Sequence, residues 1–381
     1  MKPIFPISAL SLFAIACSSN QAGANDPQTA SSDAPFQVEI AGDFDEPWAM
    51  TFLPGGDALV TEKTGKLLWR KAGGDIAEVA GVPKVDYGGQ GGLGDVIIAP
   101  DFATSKTVYL SYVEAGEDDT RGAVADMFTL DTTGATPKLI NGKRIWTQYP
   151  KVTGKGHYSH RLVFSPDGKY LFIGSGERQK FDPAQDMDSN MGKIVRLFPD
   201  GSIPKDNPFY TEGNPVRSQI WSLGHRNILG IAFDSAGQLW NQEMGPAHGD
   251  ELNLVKPKAN YGYPIVSNGD HYDGRDIPDH TEGDGFEAPA VWWNPAISPA
   301  GLAYYNADLF PEWKNSMFIG ALGGEALVRV QLNGDSAAKA DQWQMDARIR
   351  EVETGPDGAL WVLEDGGKRG EGRLLKLTPK R

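Results

Sequence analysis

His160-Arg161-Leu162-Val163-Phe164-Ser165-Pro166-Asp167-Gly168-Lys169-Tyr170-Leu171-Phe172-Ile173 reads as a short apolar run, a turn, and a second run of large residues. Its Ser-Pro-Asp-Gly centre supplies the fixed-φ and positive-φ positions of a tight hairpin. The phrase recurs. Residues 47–62 carry it around Pro54-Gly55-Gly56-Asp57, with a further strand at Gly65-Lys66-Leu67-Leu68-Trp69-Arg70. Residues 230–240 carry it around Asp234-Ser235-Ala236-Gly237, and residues 352–362 around Gly355-Pro356-Asp357-Gly358. A partial copy runs from Leu302-Ala303-Tyr304-Tyr305 to Met317-Phe318-Ile319-Gly320.

Repeated hairpins without helical periodicity indicate radial or solenoid β architecture. The turn centres are spaced at roughly whole multiples of a unit of fifty to sixty residues. Six blades of four strands would use residues 35–381 fully, with five or seven as the alternatives. The expected fold is therefore all-β, a six-bladed β-propeller of four-stranded antiparallel blades. In such a wheel the loops at one end of the axis converge, so residues distant in sequence can share one site.

Composition agrees. The 381 residues include 46 Gly and 26 Pro, which suits many turns and argues against a coiled coil or helical bundle. The formal charge is −14 and no long basic tract is present, which disfavours nucleic acid as a partner.

The first residues read as an address. Lys2 precedes a mostly apolar run, Ile4 to Ala16, too short for a permanent membrane span. The only cysteine, Cys17, follows Ala14-Ile15-Ala16, a spacing that resembles a bacterial lipoprotein signal. The expected organisation is a signal peptide over residues 1–16, a disordered tether over 17–34 and the propeller over 35–381. Cys17 is the expected lipidation site, with a plain cleaved signal as the alternative. The expected location is exported and periplasmic, touching a membrane only through that N-terminal lipid. One cysteine permits no intrachain disulfide.

The chemistry must come from loops. Gly88-Gly89-Gln90-Gly91-Gly92-Leu93-Gly94 lacks the Lys-Ser/Thr of a phosphate loop, and Gly174-Ser175-Gly176-Glu177 only approaches a nucleophile elbow. Gly156-His157-Tyr158-Ser159-His160-Arg161 puts two histidines ahead of a blade strand, where a neutral imidazole could take a hydroxyl proton. A solvated polar loop and a zinc pair are the alternatives. Gly224-His225-Arg226-Asn227 places an arginine between apolar segments, which demands an anionic partner. Arg348-Ile349-Arg350 points two guanidiniums one way, onto a solvated edge or a polyanion. Glu243-Met244-Gly245-Pro246 with Asp250-Glu251-Leu252-Asn253 gathers the hard oxygen donors that calcium takes, although acidic turns are common.

In order along the chain, these segments together with Asn260-Tyr261-Gly262-Tyr263-Pro264 and Met191-Gly192-Lys193-Ile194-Val195-Arg196-Leu197 resemble the soluble PQQ-dependent sugar dehydrogenases, in particular the bacterial aldose sugar dehydrogenases. The similarity runs from about Pro35 to Thr378, and that family is a six-bladed propeller. The resemblance implies PQQ and Ca2+ as cofactors and His157 as the general base, with no such role for His160, which stands where relatives often have glycine. It implies Arg226 at the reacting centre, and Gln90, Arg226, Asn227, Tyr272, Arg348 and Arg350 around the quinone. Gly245 and Pro246 would hold its calcium, and Glu251 and Tyr261 a second one. Gln90 and Trp293 would face the sugar.

Three departures bear on the substrate. Gly323 stands where glucose-specialised relatives have lysine, Gly156 where they have aspartate, and the loop between Tyr263 and Trp293 is short. The implied activity is oxidation of aldoses at the anomeric carbon to lactones, with broad sugar use and electrons passed to an external acceptor. A calcium lactonase-type propeller and a non-catalytic binding propeller are the alternatives.

Overall fold

The computed structural model describes residues 33–366 and 371–380. The expected signal segment, Cys17 and all but the last two tether residues lie outside them. Ala34 is already buried in the core beside Phe36.

Among the described residues, 24 strands form six sheets of four antiparallel strands. Blade one holds β2 (Pro47–Phe52), β3 (Ala58–Glu62), β4 (Lys66–Arg70) and β5 (Ile76–Val79). Blade two holds β6 (Leu93–Ile98), β7 (Thr107–Ala115), β8 (Arg121–Asp131) and β9 (Lys138–Thr147). Blade three holds β10 (Ser159–Phe164), β11 (Leu171–Ser175), β12 (Lys193–Leu197) and β13 (Ile220–Leu223). Blade four holds β14 (Ile228–Phe233), β15 (Leu239–Glu243), β16 (Asp250–Val255) and β17 (Val291–Trp293). Blade five holds β18 (Pro299–Tyr305), β19 (Ser316–Ala321), β20 (Ala326–Asn333) and β21 (Ser336–Gln344). Blade six holds β22 (Ile349–Thr354), β23 (Leu360–Glu364) and β24 (Glu371–Pro379), and is completed by the first strand, β1 (Phe36–Asp45).

That last pairing closes the wheel. β1 runs antiparallel to β24 from Phe36 opposite Pro379 to Asp45 opposite Glu371. Closure leaves no gap between the first and last blades and ties the chain ends together.

The repeated hairpins are where the sequence pattern puts them. Each turn closes with a backbone bond: Leu53 N–H to Asp57 (2.7 Å), Ser165 to Tyr170 (2.8 Å), Asp234 to Gln238 (3.0 Å) and Gly355 to Ala359 (2.8 Å). The apolar runs pack between adjacent blades, one cluster at each of the six junctions. Leu59, Leu67, Val96 and Leu110 fill the junction of blades one and two. Phe44, Met50, Val60 and Trp361 fill the one that closes the ring.

The six inner strands, β2, β6, β10, β14, β18 and β22, meet in ring order around the axis. Each carries a register shift in its first half, between Pro47 and Ala49, Leu93 and Val96, Ser159 and Leu162, Ile228 and Gly230, Pro299 and Leu302, and Ile349 and Glu351. A bulge re-aims the side chain at the irregularity. Here four of the displaced residues, Trp48, His160, Leu229 and Arg350, line one hub cavity.

Beneath that cavity sits Arg161. Its Nη1 pairs with Glu351 and lies 3.5 Å from Asp95, its Nε donates to the Leu229 carbonyl at 2.7 Å, and its guanidinium lies 4.0 Å from the Trp48 ring centre. Burial raises the pKa of Asp95, and pushes that of Glu351 up to about 7.

Arg161→Met removes the cation that offsets these buried carboxylates. Denaturant unfolding is expected to show a loss of about 3–5 kcal/mol; a loss under about 1 kcal/mol would mean the pair is not buried as described. A second measurement follows from Glu351. Its folded pKa lies above its ordinary value of 4.5, so the folded protein holds this proton more tightly. The associated stability is present below pH 4.5 and is lost as pH rises towards about 7. Melting curves of Glu351→Gln should therefore gain on the wild type between pH 5 and about 7, and a constant difference across that range would contradict the assignment.

Candidate functional site

Two adjoining cavities open at the end of the axis where the inner strands begin. The first, about 240 Å³, is lined by Trp48, Lys63, Gln90, His160, Arg348, Arg350 and their neighbours. The second, about 200 Å³, is lined by His157, Glu177, Phe181, Arg226, Pro246, Tyr272 and others. Two contacts join them. The His157 backbone N–H donates to Gln90 Oε1 at 2.7 Å, and Arg226 Nη1 donates to the Met244 carbonyl at 3.0 Å.

His157 is buried, and its Nδ1 lies 2.5 Å from Glu177 Oε1. Glu177 is held in turn by the backbone N–H groups of Lys180 (2.5 Å) and Phe181 (2.8 Å) at its other oxygen. Burial opposes charge on His157 and lowers its pKa, while the Glu177 hydrogen bond acts the other way. Glu177 itself is shifted below its ordinary value: burial opposes its charge, but the His157 bond, the Phe181 N–H and Arg226 outweigh it. An ionised Glu177 orients the ring by accepting Nδ1–H, which leaves the Nε2 lone pair free to take a proton.

The backbone here is strained. His157, Ser159 and His160 have φ of 48°, 58° and 64°, and Arg178, Gln179 and Phe181 in the facing loop have φ of 63°, 59° and 63°. Bulky residues seldom occupy this region, and such strain concentrates at functional sites. Gly176 makes the close approach possible, because a Cβ there would stand 2.1 Å from the His157 carbonyl oxygen.

A second buried His–Glu pair fixes the arginine loop. His225 Nδ1 is 2.9 Å from Glu243 Oε1 and His225 Nε2 is 2.8 Å from Ser222 Oγ, while Glu243 Oε2 accepts the Arg226 N–H at 2.6 Å. The Arg226 guanidinium then lies below 6 Å from the rings of Tyr263 (5.8 Å) and Tyr272 (5.7 Å). Arg226 Nε and Asn227 Nδ2 are buried donors with no acceptor among the described residues. Such donors call for an oxygen-rich ligand.

Arg348 and Arg350 do face one way. Asp365 bridges them, accepting from Arg348 Nε at 2.9 Å and from Arg350 Nε at 2.7 Å. Both cations hold its pKa down despite burial. The cluster keeps a positive excess, and Lys63, 3.9 Å from Glu46, lines the same cavity. An anion fits this pocket.

The remaining expected residues divide. Tyr272 is 76% exposed over the second cavity, and Pro246 lines it. The Gly245 N–H donates to Asp250 at 2.9 Å, which pins the turn that carries both residues. Glu251 is buried opposite Glu243, accepts one bond from Asn253 Nδ2 (3.2 Å), and is pushed well above its ordinary pKa by burial and by Glu243. Tyr261 is buried and stacks on His225 at 4.6 Å. Among the described residues no group of three or more His, Cys, Asp or Glu has metal-holding geometry. A calcium reading thus rests on backbone carbonyls and on Glu251, beside which Asn253 leaves its Oδ1 unpaired.

Trp293 is not brought to the hub. Alternation in β17 turns it into the core and leaves Trp292 facing out, and Trp293 lines a separate cavity on the flank under Lys339. Glu177, Asp365, Lys63 and Trp48 were not picked out by sequence reasoning. Glu177 stood within a conspicuous segment, Gly174-Ser175-Gly176-Glu177, and Trp48 within a hairpin repeat, read there only as a strand residue.

The sequence matches the family described as glucose/sorbosone dehydrogenase over residues 44–376. It is 41% identical over 357 residues to the aldose sugar dehydrogenase YliI of Escherichia coli (strain K12), covering 91% of this chain and 94% of that one. The fold superposes on the apo form of the soluble E. coli aldose sugar dehydrogenase with a TM-score of 0.85, at 40% identity, covering 91% of this chain and 100% of that one. On the PQQ-bound aldose sugar dehydrogenase of Streptomyces coelicolor the TM-score is 0.72 at 30% identity, covering 93% and 99%.

Proposed function

We propose that this chain, which belongs to the glucose/sorbosone dehydrogenase family, oxidises aldose sugars at the anomeric carbon to lactones with PQQ and Ca2+, passing electrons to an external acceptor. One observation carries the reading: a buried imidazole backed by a carboxylate, His157–Glu177, opens beside a cationic pocket with unpaired buried donors. The relatives' names support sugar as substrate, and the PQQ-bound relative supports the cofactor.

The donor set fits an anionic quinone. Arg348 and Arg350 would hold carboxylates, Arg226 Nε and Asn227 Nδ2 would meet oxygens, and Gln90 and Tyr272 would border the ring. The carbonyls of Gly245 and Pro246 would hold its Ca2+, and Glu251 with the Tyr261 carbonyl a second one. When bound, PQQ supplies a two-electron, hydride-accepting centre.

The protein's own work is positional and electrostatic. His157 Nε2 takes the anomeric hydroxyl proton, and Glu177 holds Nδ1–H so that this lone pair faces the substrate. The guanidinium of Arg226 stabilises negative charge that develops at the reacting centre. Gln90 fixes the His157 backbone and reaches the first cavity, where it would also meet the sugar. With export and a lipid on Cys17, the enzyme would work outside the cytoplasm.

Apoprotein given PQQ and Ca2+ should reduce a dye in a sugar-dependent way, and omission of PQQ should abolish the signal. His157→Ala should lower kcat by about 100-fold or more while PQQ still binds; full turnover in that variant would remove His157 from the mechanism. Glu177→Gln keeps an acceptor for Nδ1–H but removes the carboxylate charge that raises the His157 pKa, so the acid limb of kcat/KM should move to lower pH as kcat falls. An unmoved limb would show that Glu177 does not act through the imidazole.

A further inference from the structure

His160 is the histidine that the proposed mechanism leaves unused. It is buried at the β10 bulge and lines the arginine cavity. Its ring stacks on Trp48, with centroids 5.0 Å apart and planes 9° from parallel. The ring occupies space that only a glycine neighbour leaves, since a Cβ on Gly94 would stand 1.8 Å from His160 Cε1.

The hydrogen bonds around Ser111 decide the tautomer. Ser111 Oγ accepts the Asp95 N–H at 2.9 Å, meets the His160 carbonyl at 2.7 Å, and lies 2.8 Å from His160 Nδ1. A hydroxyl has one proton and two acceptor lone pairs. The carbonyl can only accept, so the serine proton goes there. All three contacts are then satisfied only if Nδ1 carries a proton and donates to Oγ. Burial and Arg161 hold the ring neutral, with a pKa near 3. Nε2 is therefore a bare lone pair. It has no partner among the described residues, at a cavity otherwise rich in N–H donors.

We propose that His160 is a cofactor-binding residue whose Nε2 accepts a hydrogen bond from the pyrrole N–H of bound PQQ. That N–H is the one nitrogen donor of the oxidised, ionised quinone, and the cationic residues of the cavity cannot receive it. The inference rests on the PQQ reading above. It gives the pocket a way to orient the ring that charge alone does not provide, because arginines grip any carboxylate while a lone pair selects one edge.

Two measurements test it on the full chain. Nitrogen NMR of histidine-labelled apoprotein should show His160 as the Nδ1–H tautomer, untitrating between pH 5 and about 8, with its Nε2 resonance moving on addition of PQQ. A protonated Nε2, or a resonance unmoved at PQQ saturation, overturns the proposal. His160→Phe keeps the stack on Trp48 and removes the acceptor. PQQ titration by fluorescence quenching should give a Kd raised about tenfold. An unchanged Kd in a folded variant refutes the role while leaving the PQQ reading intact. Failure of the wild type to take up PQQ refutes both. If the variant does not fold, the resonance of the wild type decides.

Discussion

A single guanidinium holds the wheel at its hub. Arg161 rises from β10 and touches side chains or carbonyls from β2, β6, β14 and β22, so five of the six inner strands meet at one charge. Two buried carboxylates would be costly without it, and it would be costly without them. Blades packed only through apolar junctions could slide, because dispersion contacts have little direction. The ion cluster has direction, and it sets the height of the inner strands relative to one another. The bulges that aim Trp48, His160, Leu229 and Arg350 at one cavity depend on that common height.

The site above the hub is an exercise in local charge inversion. The chain carries a net −14, yet Arg348, Arg350 and Lys63 meet around one cavity and Arg226 stands at the next. Asp365 keeps two of these cations apart from mutual repulsion without cancelling them. The two histidines of Gly156-His157-Tyr158-Ser159-His160 are both kept neutral by burial, but their partners differ. A carboxylate faces Nδ1 of His157, and a serine hydroxyl faces Nδ1 of His160. Two imidazoles three residues apart thus receive distinct chemistry from their neighbours.

Precision at this end of the wheel comes with local cost. Six non-glycine residues in two facing segments sit at positive φ, each an unfavourable conformation by about 1 kcal/mol or more. The interblade cores and the β1–β24 closure provide the stability that holds them there. Polar donors left unpaired at Arg226 Nε and Asn227 Nδ2 add to that cost until a ligand meets them.

The hairpin phrase, repeated with its Pro/Asp/Gly centres, was sufficient for the all-β wheel, because turn chemistry and strand periodicity are local properties. The loop segments holding His157, Arg226, Arg348 and Gly245-Pro246 stood out as short polar or turn-rich runs, and the resemblance to a family implied roles for them. What tertiary structure alone decided is which partner each of them meets. Glu177 and Asp365 stand on loops whose sequence shows no reason to face an imidazole or a pair of arginines, and Trp293 was turned into the core by strand alternation that the text around it does not reveal. The tautomer of His160 depends on Ser111, 49 positions away in the chain. Hydrogen bonding and burial are properties of spatial neighbours, and a closed ring of blades chooses those neighbours across distances in the chain that no local pattern records.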